Sequence, residues 1–302
     1  MSYFRELSTF VAVAEEGAFN AAARRLSLSP SVVTRLINAL EARIGARLFT
    51  RTTRRVTLTE AGERLFAEAG RILADLEEVE AMVAGAHQVP RGVLRITAPV
   101  LFGQRYLMRV VGAFLEAYPE VSVTAEFLDR PVHLVDEGID VALRIGELPD
   151  SGLFATRVGV VRRVTVAAPA YLEAHGVPET PQDLIRHRIV NFSGLHGPRE
   201  WAYHAGGAVH NGRIAPRLTV NTMVAAIDAA SAGQGVTRVL SYQVADALAA
   251  GTLVEILRAW EDRGMPVQLV YPEGRRAAAK TRAFIDFAAK HLRAEASQLA
   301  AL

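Results

Sequence analysis

The spacing of apolar and polar positions divides the chain into a helical first part and a longer part of alternating strands and helices. Apolar residues at three- and four-residue spacing predict the first helix: Leu7, Phe10, Val11 and Ala14. Residues 18–26 are rich in alanine and favour a second helix. A third helix is predicted to begin at Pro30, because the oxygen of Ser29 can accept an orphan N–H and proline needs no hydrogen bond there.

The third helix has two distinct faces. Its predicted buried stripe consists of Val32, Val33, Leu36, Ile37 and Leu40. Its open face carries short donors and one arginine: Ser31, Thr34, Arg35 and Asn38. Two helices joined by a short turn, with such a face on the second, have the shape that enters the major groove of DNA. The alternative is a pair of ordinary packed helices with a solvated polar face.

The segment after this helix favours the DNA-binding interpretation. It is rich in β-formers, arginines and threonines, which suit a hairpin wing that contacts phosphates or a minor groove. Residues 1–59 contain nine arginines and four glutamates, a net charge of +5, whereas the whole chain carries +2. The predicted DNA-contacting residues are Ser29, Ser31, Val32, Thr34, Arg35, Asn38, Arg51, Thr53, Arg54 and Arg55.

A long helix is predicted over residues 60–87, with Thr59 as its cap. A seam of apolar residues runs along it: Leu65, Ala69, Ile72, Leu76, Val79, Val83 and Ala86. The helix would be about 42 Å long at 1.5 Å per residue, more than so small a domain can cover, so a second chain is the expected partner. The predicted boundaries are 1–59 for the winged helix-turn-helix, 60–88 for the linker helix and 89–302 for the remaining domain.

The remaining domain is predicted to be α/β, because short apolar strands alternate with helices. The predicted strands are residues 93–98, 121–128, 140–145, 158–167, 189–192, 201–204, 217–220, 235–240 and 267–271, and the predicted helices are residues 104–118, 131–137, 222–232 and 277–296. The glycine at position 233 is expected to end one of these helices. Ligands of such sheets bind beyond the carboxyl ends of strands.

Strand ends and a helix start therefore supply the candidate ligand site. The predicted ligand-binding residues are Pro99, Val100, Leu101, Arg144, Ser193, Thr222 and Arg238. Arg144 and Arg238 are able to clamp a carboxylate, and the helix opened by Thr222 favours an anion, so a small organic acid is the expected ligand. The alternative is that the arginines are solvated or paired with nearby acids such as Glu147 or Asp140.

Residues 7–70 resemble the N-terminal module of LysR-type transcriptional regulators. The matching residues are Phe10, Ala21, Ala22, Ala23, Leu40, Glu41, Gly45, Leu48, Phe49, Arg51, Leu58, Thr59, Ala61 and Gly62, with departures at Asn20 and Thr34. Residues 140–159 and 220–236 are similar to the effector domain of the same family. The resemblance implies an all-α winged helix-turn-helix domain, a linker helix that pairs two subunits, and an α/β effector domain of two Rossmann-like halves, similar to type II periplasmic binding proteins.

The expected function is therefore sequence-specific binding of promoter DNA, modulated by a small-molecule effector. The expected assembly is a homodimer through the linker helix, with pairing of dimers into a homotetramer. A constitutive repressor without a ligand and an enzyme on the α/β scaffold are the alternatives, although no G-x-S-x-G elbow or dinucleotide fingerprint occurs.

Composition excludes several kinds of chemistry and several locations in the cell. The absence of cysteine excludes disulfides and thiol catalysis, and His204 and His210 lack the spacing of a zinc site, so neither a metal nor a cofactor is expected. With no signal-like start and no apolar run of about 20 residues, a cytoplasmic protein without a membrane partner is expected.

Overall fold

Contacts along the chain divide it into two units, residues 1–89 and 90–302. The structure, a computed structural model, describes residues 3–51, 56–83, 89–148, 152–192, 200–261, 264–272 and 278–301. The elements of the first unit are α1 (Tyr3–Glu16), α2 (Phe19–Arg25), α3 (Pro30–Ile44), β1 (Phe49–Arg51), β2 (Val56–Leu58) and α4 (Glu60–Val83). This order is that of a winged helix-turn-helix followed by a long helix.

The start and end of α3 have local causes. The hydroxyl of Ser29 accepts a hydrogen bond from the backbone N–H of Val32 at 3.4 Å, as its position before Pro30 predicts. The helix ends at Gly45, which takes a left-handed conformation with φ of 77°. A side chain at this backbone conformation would be strained, so the glycine directs the chain away from α3 and into the hairpin.

The core of the first unit is built from the apolar stripes of α1 and α3. The buried side chains include Leu7, Phe10, Val13, Val33, Leu36, Ile37, Leu40, Leu48 and Phe49. Val11 and Val32 are only half-buried, at the edges of the predicted stripes. The stripe on α3 leaves its opposite face open, which is the arrangement that groove recognition requires.

The hairpin of β1 and β2 is tied to both neighbouring helices. The strands pair antiparallel, with Phe49 opposite Leu58. A carboxylate oxygen of Glu41 on α3 accepts the backbone N–H of Leu48 at 2.8 Å. The hydroxyl of Thr59 accepts the N–H of Gly62 at 3.0 Å, so it caps α4 as predicted.

The apolar seam predicted along α4 divides into two parts. Ala69 is buried and Leu65 is partly buried against the core of its own unit. Ile72 and Leu76 are 48% and 39% exposed. The expectation that a second chain covers the whole seam is therefore wrong for its first part, because α1 already packs against α4 there.

The second unit alternates strands and helices, as predicted. Its strands are β3 (Gly92–Ala98), β4 (Val121–Phe127), β5 (Val141–Ile145), β6 (Leu153–Ala167), β7 (Ile189–Phe192), β8 (Glu200–Ala205), β9 (Ala208–Arg213), β10 (Pro216–Val220), β11 (Thr237–Leu240), β12 (Val254–Ile256) and β13 (Gly264–Pro272). Its α-helices are α5 (Val100–Phe102), α6 (Met108–Ala117), α7 (Pro169–His175), α8 (Met223–Ser231), α9 (Ala245–Ala249) and α10 (Ala279–Ala301), with a π-helical turn at Gly103–Leu107 between α5 and α6.

One long strand joins the two halves of this unit. The main sheet has the order β11-β6-β13-β5-β3-β4, and β12 also pairs with β6. Residues 153–162 of β6 pair with β13 in the first half, and residues 163–167 pair with β11 and β12 in the second half. This mixed sheet with helices around it confirms the predicted α/β effector fold of two halves.

Several predicted elements differ from the structure. Residues 131–137, predicted as a helix, contain only turns, because Arg130 forms hydrogen bonds with the Glu137 side chain and the Pro131 carbonyl and closes the segment as a loop. The edge strands β9 and β12 and the short helix α7 were not predicted. Gly233 takes φ of 75° just after α8 and ends that helix as predicted.

Candidate functional site

The predicted DNA-contacting face of α3 is open to solvent. Ser29, Ser31, Arg35 and Asn38 are exposed, and Thr34 is half-buried. The Ser29 and Ser31 hydroxyls lie 3.0 Å apart, and the Thr34 hydroxyl donates to the carbonyl of Pro30 at 2.9 Å. These bonds leave hydroxyl lone pairs available as acceptors on this face.

The hairpin residues predicted to contact DNA are only partly within the described residues. Thr53, Arg54 and Arg55 lie outside them, and for Arg51 the structure describes the backbone alone. Arg51 ends β1 opposite Val56. Arg54 and Arg55 follow Arg51 closely in the sequence.

The second unit contains a cavity of about 700 Å³. Its wall includes residues from both halves of the unit: Pro99, Leu128, Asp129, Arg130, Pro131, Arg144, Ile145, Arg163, Asn191, Phe192, Glu200, Trp201, Ala202, Met223, Arg238, Val239, Leu240, Tyr242, Gln243 and Met265. The volume is that of a small-molecule site, and apolar walls with a few polar groups are typical of one.

Arg144 presents an unsatisfied donor at one end of this wall. Its Nη1 donates to the carbonyl of Leu143 at 3.0 Å, whereas its Nη2 is inaccessible to solvent and has no partner among the described residues. Burial lowers the pKa of the Arg144 guanidinium, because the charged form loses hydration. A buried cationic donor of this kind favours an incoming anion.

Arg238 also reaches the cavity, but its charge is already balanced. It forms an ion pair with Glu261, and the two side chains are only 5% and 4% exposed. Its Nη2 donates to the carbonyl of Ala202 at 2.8 Å, and its guanidinium lies 4.1 Å from the ring centre of Tyr203. Burial raises the pKa of Tyr203 to about 12, so the ring stays a neutral phenol beside the cation.

Arg163 is, with Arg130, one of two basic residues of the wall that the sequence analysis missed. It lies on β6 opposite Leu240, and its side chain makes neither a hydrogen bond nor an ion pair with any residue that the structure describes. Partial desolvation in the concave wall lowers the pKa of Arg163, and the nearby positive charge of Arg238 adds to this effect. The available signal was an Arg162-Arg163 pair inside an otherwise apolar strand.

A smaller cavity of about 180 Å³ lies beside the first one. Arg163, Arg238 and Met265 line both cavities, and Glu261 lines the smaller one. The Arg238–Glu261 ion pair thus stands in the wall between two spaces.

The families matched by the two units agree with this geometry. Residues 4–63 match the bacterial regulatory helix-turn-helix protein, lysR family, and residues 87–293 match the LysR substrate binding domain. The chain belongs to the LysR family of transcriptional regulators. This confirms the resemblance seen in the sequence.

Relatives of this LysR-family protein span nearly its whole length. The regulator PtxR of Pseudomonas aeruginosa is 37% identical over 97% of this chain and 94% of its own. The solved structure of CrgA, a LysR-type transcriptional regulator from Neisseria meningitidis, has a TM-score of 0.60 and 30% identity over 97% of this chain and 99% of its own. AphB, described as a Vibrio cholerae virulence activator, has a TM-score of 0.58 and 27% identity, covering 96% and 100%.

The LysR-family protein is therefore a transcriptional regulator with a DNA-binding domain and a substrate-binding domain, and not an enzyme. In the described part of the chain no helix is long and apolar enough to cross a membrane. Over the same ranges, no group of three histidine, cysteine, aspartate or glutamate side chains is placed to hold a metal ion.

The predicted ligand residues of the regulator are only partly brought together. Pro99, Arg144 and Arg238 line the larger cavity. Ser193 lies outside the described residues, and three other predicted residues are not part of the cavity wall: Val100, Leu101 and Thr222.

Each of those three residues has a structural contact in the fold. Leu101 is buried in the core under the sheet, and the backbone N–H of Val100 donates to a carboxylate oxygen of Asp129 at 3.0 Å. The Thr222 hydroxyl accepts from the N–H of Ala225 at 3.4 Å and caps α8, which presents Met223 to the cavity instead. A sequence position after a strand does not specify which way the chain then turns.

Proposed function

We propose that this regulator binds promoter DNA through the open face of α3 and the β1–β2 hairpin, and that a small organic acid in the larger cavity modulates this binding. The inaccessible and unpaired Nη2 of Arg144 carries the second part of the proposal. A buried donor without a hydrogen bond destabilises the folded protein. A ligand oxygen that accepts a hydrogen bond from this donor is therefore stabilising. The coupling requires that the acid bind one arrangement of the two halves more tightly than the other.

The residues proposed to contact DNA divide into two roles. Those on α3 lie where base edges or adjoining phosphates would be met: Ser29, Ser31, Val32, Thr34, Arg35 and Asn38. Those of the hairpin are proposed to hold the DNA backbone: Arg51, Thr53, Arg54 and Arg55.

The proposed assembly is a homodimer through α4, with two dimers forming a homotetramer. The support is the exposure of Ile72 and Leu76, two large apolar residues four positions apart on one helix face. A dimer of this kind would place two α3 helices on a site with two-fold symmetry.

One experiment tests the regulatory part directly. The affinity for fluorescently labelled DNA from the promoter region beside its own gene is measured at fixed salt, with and without a panel of small carboxylic acids, because phosphate contacts make affinity strongly salt-dependent. At least one acid is expected to change the dissociation constant, and Arg144→Gln is expected to abolish that change.

Arg157→Gln is the matched control, since Arg157 lies on β6 outside the cavity wall. The acid effect should survive this change. If Arg144→Gln responds to the acid as the unaltered chain does, the assignment of Arg144 is wrong. If no acid alters selective DNA binding, the constitutive alternative replaces the sensor.

A further inference from the structure

We infer that the effector is an elongated diacid, held at one end by Arg144 and at the other by Arg163, and that only a ligand with both acidic groups joins the two halves of the effector domain. This inference rests on the proposed organic-acid sensor and specifies its ligand. The sequence analysis expected Arg144 and Arg238 to bind the ligand together. The inference assigns this role to Arg144 and Arg163.

The first anchor is in the first half of the domain. Arg144 is on β5, and its Nη2 is inaccessible to solvent and has no hydrogen-bond partner among the described residues. The acid whose charge acts on Arg144 is Glu137, and this carboxylate already forms an ion pair with Arg130 at 2.7 Å. The positive charge of Arg144 therefore remains without a neutralising partner among the described residues, and an acidic group of the ligand would supply one.

The second anchor is in the second half. Arg163 belongs to the part of β6 that pairs with β11. The buried acid whose charge acts on Arg163, Glu261, forms an ion pair with Arg238. Arg163 is exposed within the cavity wall, so its guanidinium is free to bind a ligand anion there.

The two anchors lie on different strands of the sheet and many positions apart. Arg144 lies opposite Gln268 on β13, and Gln268 lies opposite Arg157 on β6. Six further positions along β6 reach Arg163, about 20 Å at ~3.3 Å per residue, and β13 separates the two strands by about two steps of ~4.8 Å. This separation favours a ligand with two acidic groups, one for each guanidinium group, over a single carboxylate.

The space between the anchors suits the body of such a ligand. Trp201, Met223 and Met265 supply apolar surface along the wall. The acidic residues of the wall are engaged elsewhere, since Asp129 accepts the N–H of Val100 at 3.0 Å and Glu200 pairs with Arg213 at 3.4 Å. Among the basic residues of the wall, Arg130 pairs with Glu137 and Arg238 pairs with Glu261, whereas Arg144 and Arg163 have no acidic partner in the described part of the chain.

Because the two anchors lie in different halves of the domain, a ligand is able to bind one half without linking both. A monoacid satisfies Arg144 alone and has little preference between arrangements of the halves. A diacid of matching length contacts both halves at once, so it favours the arrangement in which both contacts are made. Monoacids are therefore expected to bind without changing DNA affinity, and the matching diacid is expected to change it.

The test uses the intrinsic fluorescence of the full chain. Both of its tryptophans, Trp201 and Trp260, lie in the effector domain, and Trp201 is in the cavity wall. The probes are straight-chain α,ω-dicarboxylates from malonate to sebacate, each compared with the monocarboxylate of the same chain length. The measured quantity is the dissociation constant of the monoacid divided by that of the diacid, which we call the diacid advantage.

One chain length is expected to show an advantage of about tenfold to hundredfold, the value of one charge-assisted hydrogen-bonded contact. Arg163→Gln should reduce the advantage to about one, and Arg157→Gln should preserve it. The same diacid should alter the affinity for promoter DNA, whereas its monoacid should not.

The outcomes separate this inference from the function on which it rests. If monoacids and diacids bind equally, or if Arg163→Gln preserves the advantage, the diacid inference is overturned while the organic-acid sensor stands. If no acid of either series binds, the organic-acid sensor itself is overturned. The comparison within the unaltered chain decides the matter even if Arg163→Gln misfolds, and circular dichroism of the variant identifies that case.

Discussion

The buried ion pair between Arg238 and Glu261 allows a quantitative test of the cavity geometry. Glu261→Gln removes the negative charge and keeps the size of the side chain and one acceptor oxygen. The guanidinium of Arg238 would then remain in a site where its side chain is 5% exposed. Loss of one partner of such a pair costs about 3–5 kcal/mol in general, because the other charge stays buried without compensation.

The other contacts of Arg238 place the expected cost near the low end of that range. They are the hydrogen bond to the Ala202 carbonyl and the cation–π contact with Tyr203, and both survive the substitution. We expect the free energy of unfolding of the effector domain to fall by about 3 kcal/mol. For a domain of this length, that loss lowers the melting temperature by about 6–12 °C.

Tryptophan fluorescence isolates the relevant transition, because Trp201 and Trp260 both belong to the effector domain. The full chain is heated or titrated with urea, and the midpoint of the fluorescence change is compared between variants. An unchanged slope of the unfolding free energy against urea concentration shows that stability has changed without a change in the surface exposed on unfolding.

Glu255→Gln is the matched control. Glu255 pairs with Arg162 at 2.9 Å, with side chains 14% and 23% exposed, so solvent screens this pair more. Its loss should cost about 1 kcal/mol or less. Equal effects of the two substitutions, or a loss under about 1 kcal/mol for Glu261→Gln, would refute the argument that burial dominates this site.

Three further predictions concern the DNA-binding unit. Arg35→Ala should weaken binding to the cognate promoter by about 1–3 kcal/mol and relax its sequence preference, as measured by fluorescence anisotropy at fixed salt; unaltered specificity would remove the recognition role of α3. Gly62→Ala should destabilise this unit, since an added Cβ would lie 2.1 Å from a backbone carbonyl oxygen. Gly70→Ala in the same helix meets open space and should stabilise the unit by about 0.5–1 kcal/mol. Thermal melts by circular dichroism compare the two variants, and a stable Gly62→Ala variant would contradict the packing. Ile72→Glu should shift the protein toward monomers in sedimentation experiments, and an unchanged mass would remove α4 from the dimer interface.

The DNA-binding unit was predictable because its signals are local. The cap at Ser29, the proline after it and the apolar spacing of α3 lie within fifteen residues of one another, and each acts through nearby backbone. The open face follows once the buried stripe is assigned. The division of the α4 seam was not predictable in the same way, because it depends on where α1 packs.

The cavity depends on contacts between distant parts of the sequence. Arg238 was a reasonable candidate by position, but its partner Glu261 lies 23 residues away and is reached only through the fold. Arg163 lies inside a strand and not at its end, and it faces the cavity because β6 crosses from one half to the other there. Rules based on strand ends find Arg144 and miss Arg163.

The shared strand β6 also has a consequence for how such a sensor is altered. Its pairing with β13, β11 and β12 uses backbone groups, which are the same whatever side chains the strand carries. The side chains of the cavity wall thus determine which ligand fits, whereas the backbone pairing of β6 joins the two halves of the domain. In the proposed sensor, the side chains at positions 144 and 163 are therefore exchangeable for a new analyte while the backbone pairing that joins the two halves is retained.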